Sequence, residues 1–130
     1  MLTQTLNPPT LSDVVRDAVN TVADALAETR EYQNFQQAAL NFERDTDAQQ
    51  VVRLFQEKQR SLQMMQQLGM LTEQELTELR RLRRAMAEQP RVRAYLNAQE
   101  MFKHVCQLAA QEISNEINLD FAGVCAPGCC

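Results

Sequence analysis

Gly69-Met70-Leu71-Thr72-Glu73-Gln74-Glu75-Leu76 is the stretch whose reading decides the fold. Thr72 with Glu75 three residues on forms a capping box, in which the hydroxyl accepts from the later amide and the carboxylate can reach back to the cap. Leu71 and Leu76 hold the two positions of a hydrophobic staple, which sets the angle at which the chain enters the new helix. Gly69 stands where the preceding helix must end, a position that favours a left-handed residue. So short a connection is a tight turn, and the helices on either side are predicted to fold into an antiparallel hairpin. Its facing residues are Leu54, Phe55, Leu62 and Met65 before the turn and Leu76, Leu79, Leu82 and Met86 after it.

Reading upstream, Thr46-Asp47-Ala48-Gln49 is a second capping box that opens the first arm of this hairpin. Thr29 caps a shorter helix whose apolar face is Tyr32, Phe35, Ala38, Ala39 and Phe42 and which ends near Arg44. Before it, Ser12 is an N-cap, Asp13 sits in the first turn beside the helix dipole, and Val14, Val15, Ala18, Val19, Val22, Ala25 and Leu26 repeat at helical spacing to residue 28. Downstream, Pro90 fits the first position of a last helix. Val92, Tyr95, Leu96, Phe102, Val105, Leu108, Ala109, Ile113 and Ile117 carry one apolar face to about Leu119. At 1.5 Å per residue this helix runs about 42 Å, longer than a compact domain of this size is wide, so part of its face is expected to need a second chain.

Glycine and proline agree with this reading. Pro8 and Pro9 open the chain and Gly123, Pro127 and Gly128 close it, leaving only Gly69 and Pro90 between. The predicted class is all-α: an antiparallel helical bundle built from a long helix hairpin with shorter N-terminal helices. Residues 1–11 form an N-terminal extension, 12–119 the helical domain, and 120–130 an extended, non-helical, cysteine-containing tail. Met1 to Pro8 is polar and uncharged and no run of 18 apolar residues occurs, so a cytosolic protein with no membrane insertion is expected.

Chemistry concentrates in that tail. Cys125-Ala126-Pro127-Gly128-Cys129-Cys130 holds three of the four cysteines. A cytosolic chain keeps thiols reduced, which favours a metal or redox role over a disulfide scaffold, beside the plainer reading of a loose reduced tail. Thiolates suit zinc and iron-sulfur clusters, but an all-thiolate site needs four donors. Cys106, another subunit or a partner protein would supply the fourth. Adjacent Cys129 and Cys130 bind one ion together only with strain, which favours an iron-sulfur cluster or a shared intersubunit site over a single zinc. Cys106 also reads simply as a small buried hydrophobe on the last helix.

The net charge of −4 is unevenly spread. Residues 80–104 carry 7 basic and 2 acidic side chains (+5), whereas residues 1–79 carry 6 and 12 (−6). Arg80, Arg81, Arg83, Arg84, Arg91 and Arg93 could contact phosphates or an acidic protein, or be a solvated face paired to Glu75, Glu78 and Glu88. No aromatic residues are interleaved to stack on bases, so sequence-specific reading of nucleic acid is not expected, and a metal-independent RNA-associated protein is the alternative reading. His104 and Cys106, two apart on a helix, point to different sides and make no nucleophile-base pair. No catalytic constellation and no small-molecule site is evident.

The opening amphipathic helix with Glu31-Tyr32-Gln33-Asn34-Phe35 forms part of a larger pattern. Asp47-Ala48-Gln49 leading to Phe55-Gln56, Gln89-Pro90-Arg91-Val92-Arg93-Ala94-Tyr95-Leu96-Asn97-Ala98-Gln99, and Ile117-Asn118-Leu119-Asp120-Phe121 complete it. Over residues 12–130 this resembles the YlbF/YmcA family of small helical bacterial regulators. The resemblance implies a helical protein without enzymatic activity that self-associates or pairs with a paralogue. It further implies a cytosolic complex that modulates mRNA processing through a membrane-bound endoribonuclease, and thereby competence, sporulation and biofilm formation. That complex is associated with iron-sulfur clusters held by cysteines, for which Cys125, Cys129 and Cys130 are the matching thiols here.

Overall fold

The computed structural model describes residues 10–125. It contains α1 (Asp13–Ala27), α2 (Arg30–Glu43), α3 (Thr46–Gln67), α4 (Glu73–Glu88), α5 (Pro90–Ile117) and α6 (Phe121–Cys125), with no strand among the described residues.

Each helix starts where a side chain can satisfy an orphan amide. Ser12 accepts from the Val15 N–H at 3.3 Å, and Thr29 from the Tyr32 N–H at 3.2 Å. Thr29 also donates to the Leu26 carbonyl at 2.6 Å, so one hydroxyl closes α1 and opens α2. Thr72 accepts from the Glu75 N–H at 3.3 Å, one half of the expected capping box, while the Glu75 carboxylate turns to Lys58. At α5 the Gln89 side-chain Oε1 accepts from the Arg91 and Val92 amides at 2.7 and 3.0 Å, with Pro90 in the first turn. The start of α3 differs from expectation by one residue. Its cap is Asp45, which accepts from the Ala48 N–H at 3.0 Å, and Gln49 donates to the Glu43 carbonyl instead of closing a box. A carboxylate beside the helix dipole is the better cap of the two neighbours.

The α3–α4 turn is a Schellman motif. Gly69 is left-handed at φ 68°, its N–H donates to the Gln66 carbonyl at 3.2 Å, and the Met70 N–H donates to the Met65 carbonyl at 2.9 Å. The hairpin therefore forms as predicted, with Leu62 and Leu82 buried in it. Leu54 faces α4 at the rim of the hairpin, 41% exposed in a shallow groove shared with Glu78 and Leu82. Lys58 is half-buried, between Phe55 and Leu62 in the half-buried line of α3, and its ammonium pairs with the Glu75 carboxylate of α4.

The most extensive contact joins α2 to α5, which run antiparallel. Tyr32 meets Phe102 at 5.2 Å between ring centroids, Phe35 meets Tyr95 at 5.4 Å, and Phe42 meets Tyr95 at 5.7 Å. Tilted pairs of this kind each add about 0.5–1.5 kcal/mol beyond area burial. α4 packs on α5 and brings the two helix pairs together around Ala38, Ala48, Leu62, Leu82 and Val92, the buried core residues. α1 touches little more than α2.

The tail differs from expectation in part. Residues 121–125 form one further helical turn rather than extended chain, while residues 126–130 lie outside the described residues.

Candidate functional site

The end of α5 is built to turn the chain back on itself. Asn118 adopts the left-handed conformation (φ 54°, ψ 38°), and the Leu119 N–H donates to the Ser114 carbonyl at 3.2 Å. Asn tolerates this conformation better than other residues with a Cβ. Asp120 then opens α6: its carboxylate accepts from the Gly123 N–H at 3.1 Å, and its carbonyl from the Val124 N–H at 3.0 Å. A Cβ on Gly123 would run into that carboxylate, so glycine is what lets the cap close. Ser114 adds a latch across the turn, accepting from the Phe121 N–H at 3.0 Å while donating to the Ala110 carbonyl at 2.9 Å. α6 consequently packs against α5 and carries Cys125 in a half-buried position.

Of the predicted thiols, Cys125 closes α6 and Cys106 lies on α5; both are free and half-buried. Cys129 and Cys130 lie outside the described residues. Among the described residues no three potential metal ligands converge. His104 is exposed on α5.

The six arginines are all exposed, but they do not act as one face. Arg81 makes a two-pronged contact with Glu78 at 2.9 and 2.6 Å, which holds the Glu78 carboxyl below its ordinary range and raises the Arg81 guanidinium. Arg83 lies 5.9 Å over the Phe55 ring, and Arg93 donates to the Ala87 carbonyl at 3.3 Å. Arg80 and Arg84 sit one turn apart on the outer side of α4. Glu75, expected to pair with this group, instead pairs with Lys58.

Sequence reasoning missed the latch and an apolar groove. The groove runs between α1 and the C-terminal end of the molecule, lined by Val15, Ala18, Val19, Val22, Ile113 and Phe121. The signals were present: Asp120 three residues before Gly123 is a cap spacing, and the α1 stripe was read as amphipathic without anything to show what it lay against.

Five long or medium helices with a short sixth docked on the last, and no strand among the described residues, define a small all-helical protein. The chain belongs to the family described as control of competence regulator ComK, YlbF/YmcA, whose sequence model matches residues 15–118. Its fold is similar to a chain in the X-ray crystal structure of Bacillus subtilis RicA in complex with RicF. The TM-score is 0.76 at 14% sequence identity, covering 83% of this chain and 96% of that one. At this identity the likeness speaks for the fold. No curated protein matches the chain significantly.

Proposed function

We propose that this chain is a regulatory adaptor without catalytic activity of its own, which assembles with related helical proteins and through them acts on RNA processing and developmental regulation. The observation that carries the reading is the amount of apolar helix surface left uncovered, including Val14, Val19, Leu108 and Ile117. Contiguous apolar surface of this kind commonly marks a site where another molecule docks. Membership of a family of competence regulators supports the regulatory part, and the RicA fold, solved with RicF bound, supports a protein partner. An endoribonuclease complex is the assembly it would join. No described helix is long and apolar enough to cross a membrane, and we place the protein in the cytosol.

The thiol set fits an iron-sulfur cluster by the chemistry of its donors. Cys125, Cys129 and Cys130 would hold it, with Cys106 or a partner's thiol as the fourth ligand. Such a cluster would supply a link between subunits that oxidation can break. The latch keeps α6 docked on α5, so Cys125 is held at a defined place.

Anaerobic purification from the native host tests the reading. The expected result is co-purification of family members together with broad visible absorbance and stoichiometric iron and sulfide, lost when Cys129 and Cys130 become Ser. Protein free of iron whose associations survive those substitutions removes the cluster. Absence of any associated protein removes the adaptor. Exposed Arg80 and Arg84, which have no ion-pair partner among the described residues, favour one alternative, a metal-independent RNA contact. Salt-sensitive RNA binding abolished by R80E/R84E but kept without the tail would establish that instead.

A further inference from the structure

Arg91 belongs by sequence to the basic segment, yet in space it meets Arg44, which lies outside that segment. The two share a cleft because α2 and α5 run antiparallel. Tyr32 pairs with Phe102 and Phe42 with Tyr95, so the end of α2 comes beside the start of α5. α3 begins at the same corner. The opening there is about 350 Å³ and is lined by Asn41, Arg44, Asp45, Thr46 and Arg91. That volume lies near the lower end of the range typical of ligand pockets, about 300–1,000 Å³.

What the cleft presents is mostly donors. Neither guanidinium lies within ion-pair distance of a carboxylate among the described residues, that of Asp45 included. The Asn41 Oδ1 already accepts from the Gln37 side-chain amide at 3.1 Å, which leaves the Asn41 NH2 as the group it has to offer. Thr46 adds a hydroxyl, free of any capping duty because Asp45 caps α3 in its place. Asp45 is the one opposing charge, and its Oδ1 is engaged by the Ala48 N–H at 3.0 Å. Two guanidinium charges against one carboxylate leave the lining at +1, in a chain whose net charge is −4. An anion here is therefore held by local geometry and not drawn in by overall charge.

The donor set selects the anion. One guanidinium fork satisfies both oxygens of a planar carboxylate, whereas a tetrahedral phosphate can take two forks and still has lone pairs for an amide and a hydroxyl. Two arginines from different helices, with Asn41 and Thr46 between them in sequence and space, suit the second case. No aromatic ring lines the cleft, so a nucleobase finds nothing to stack on, and the phosphate itself is what is recognised.

We propose that this corner is a phosphate-binding site, taking free phosphate or the monoester end of a small molecule, with Arg44 and Arg91 as the charged donors and Asn41 and Thr46 as the neutral ones. An occupied site ties the α2–α3 corner to the start of α5. Ser114 and the docked α6 stand at the far end of that 28-residue helix, so the site is independent of the adaptor and cluster readings above.

Titration of the full chain, cysteines reduced, with inorganic phosphate in about 100 mM chloride tests this, read by amide and side-chain nitrogen spectra. Saturable shifts are expected at Asn41, Thr46 and Arg91, half complete near about 1 mM phosphate. R44Q/R91Q should weaken binding at least about tenfold, because both charged donors are lost. D45N keeps an N-cap for α3 and removes the opposing charge, so it should tighten binding about threefold. R16Q/R60Q makes the same change of net charge at exposed positions elsewhere and should leave the affinity as it is. Glycerol 3-phosphate separates the sources: tighter binding than inorganic phosphate assigns the site to an ester, weaker binding to the free ion. No saturable shift up to about 20 mM phosphate overturns the proposal. So do acetate binding as tightly as phosphate, R44Q/R91Q losing no more affinity than R16Q/R60Q, and D45N binding no more tightly than the parent. Should R44Q/R91Q fail to fold, the unaltered chain decides: shifts centred on Asn41, Thr46 and Arg91 support the site, and shifts confined to other residues overturn it.

Discussion

The Ser114 hydroxyl accepts a hydrogen bond from the Phe121 backbone N–H at 3.0 Å across a gap of seven residues. That bond, more than any propensity of Phe121–Cys125, explains why a five-residue helix exists, since a single turn does not nucleate by itself. Ser114→Ala should leave the Phe121 amide without its partner and cost α6 about 1 kcal/mol. The global melting temperature should barely move, because α6 contributes no buried residue to the core. Hydrogen exchange at residues 121–125 should speed up about fivefold, and alkylation of Cys125 should accelerate while Cys106 keeps its rate. Unchanged Cys125 labelling would show that the latch does not hold the turn.

Gly69 adopts φ 68°, and a Cβ added there would meet nothing within 4 Å. Any cost of substitution is thus backbone strain alone. Gly69→Ala should destabilise the chain by about 1 kcal/mol, and Gly69→Asn by clearly less, since Asn visits the left-handed region more readily. Chemical denaturation read by circular dichroism gives the comparison, with the same m-value expected for all three proteins.

These two turns show what sequence could and could not reveal. Gly69, Leu71, Thr72 and Glu75 act on their own neighbours, and local chemistry of that kind is legible directly. The Thr29 and Pro90 boundaries were legible for the same reason. Asp45 displaced Thr46 as the cap of α3 because both residue types suit the position and only geometry chooses. α6 was hidden because Gly123 and Pro127 read as helix breakers, while the groups that hold it, Ser114 and Asp120, include one from the preceding helix. The α1 stripe declared an apolar face but not what lies against it, which is Ile113 and Phe121 across a groove. The thiols were legible as a donor set, whereas a fourth ligand is a matter of what lies nearby in space.

Glu78 is kept below its ordinary carboxyl range first by its hydrogen bonds to Arg81. A depressed folded pKa contributes stability that is present above the unfolded value and is lost as pH falls through the folded one. The pair lies at the surface, with the Arg81 side chain 65% and the Glu78 side chain 40% exposed, so its effect is small and salt-sensitive. Glu78→Gln should therefore lower the melting temperature slightly at neutral pH and converge on the parent protein as pH falls below the ordinary carboxyl range. The difference should vanish in about 1 M salt.

Lys58 is the one charged residue among Ala48, Phe55, Leu62 and Met65 on the inner line of α3, and its partner Glu75 belongs to the facing helix. Their side chains are 25% and 29% exposed, so both charges lose part of their hydration on folding. Attraction across such a pair roughly offsets that loss, and an apolar side chain of similar length would avoid it. Lys58→Met should therefore be neutral to stabilising by up to about 1 kcal/mol. Glu75→Ala leaves Lys58 half-buried without its partner and should destabilise by about 1–2 kcal/mol. In the double variant Lys58→Met/Glu75→Ala most of that loss should be recovered, because the stranded ammonium is gone. Denaturation midpoints of the three variants complete the cycle, and additive losses would mean that the pair is not coupled. If Lys58→Met alone proves costly, the pair sets the register of the hairpin, and Phe55, which packs beneath Arg83, should show altered near-ultraviolet dichroism in the same variant.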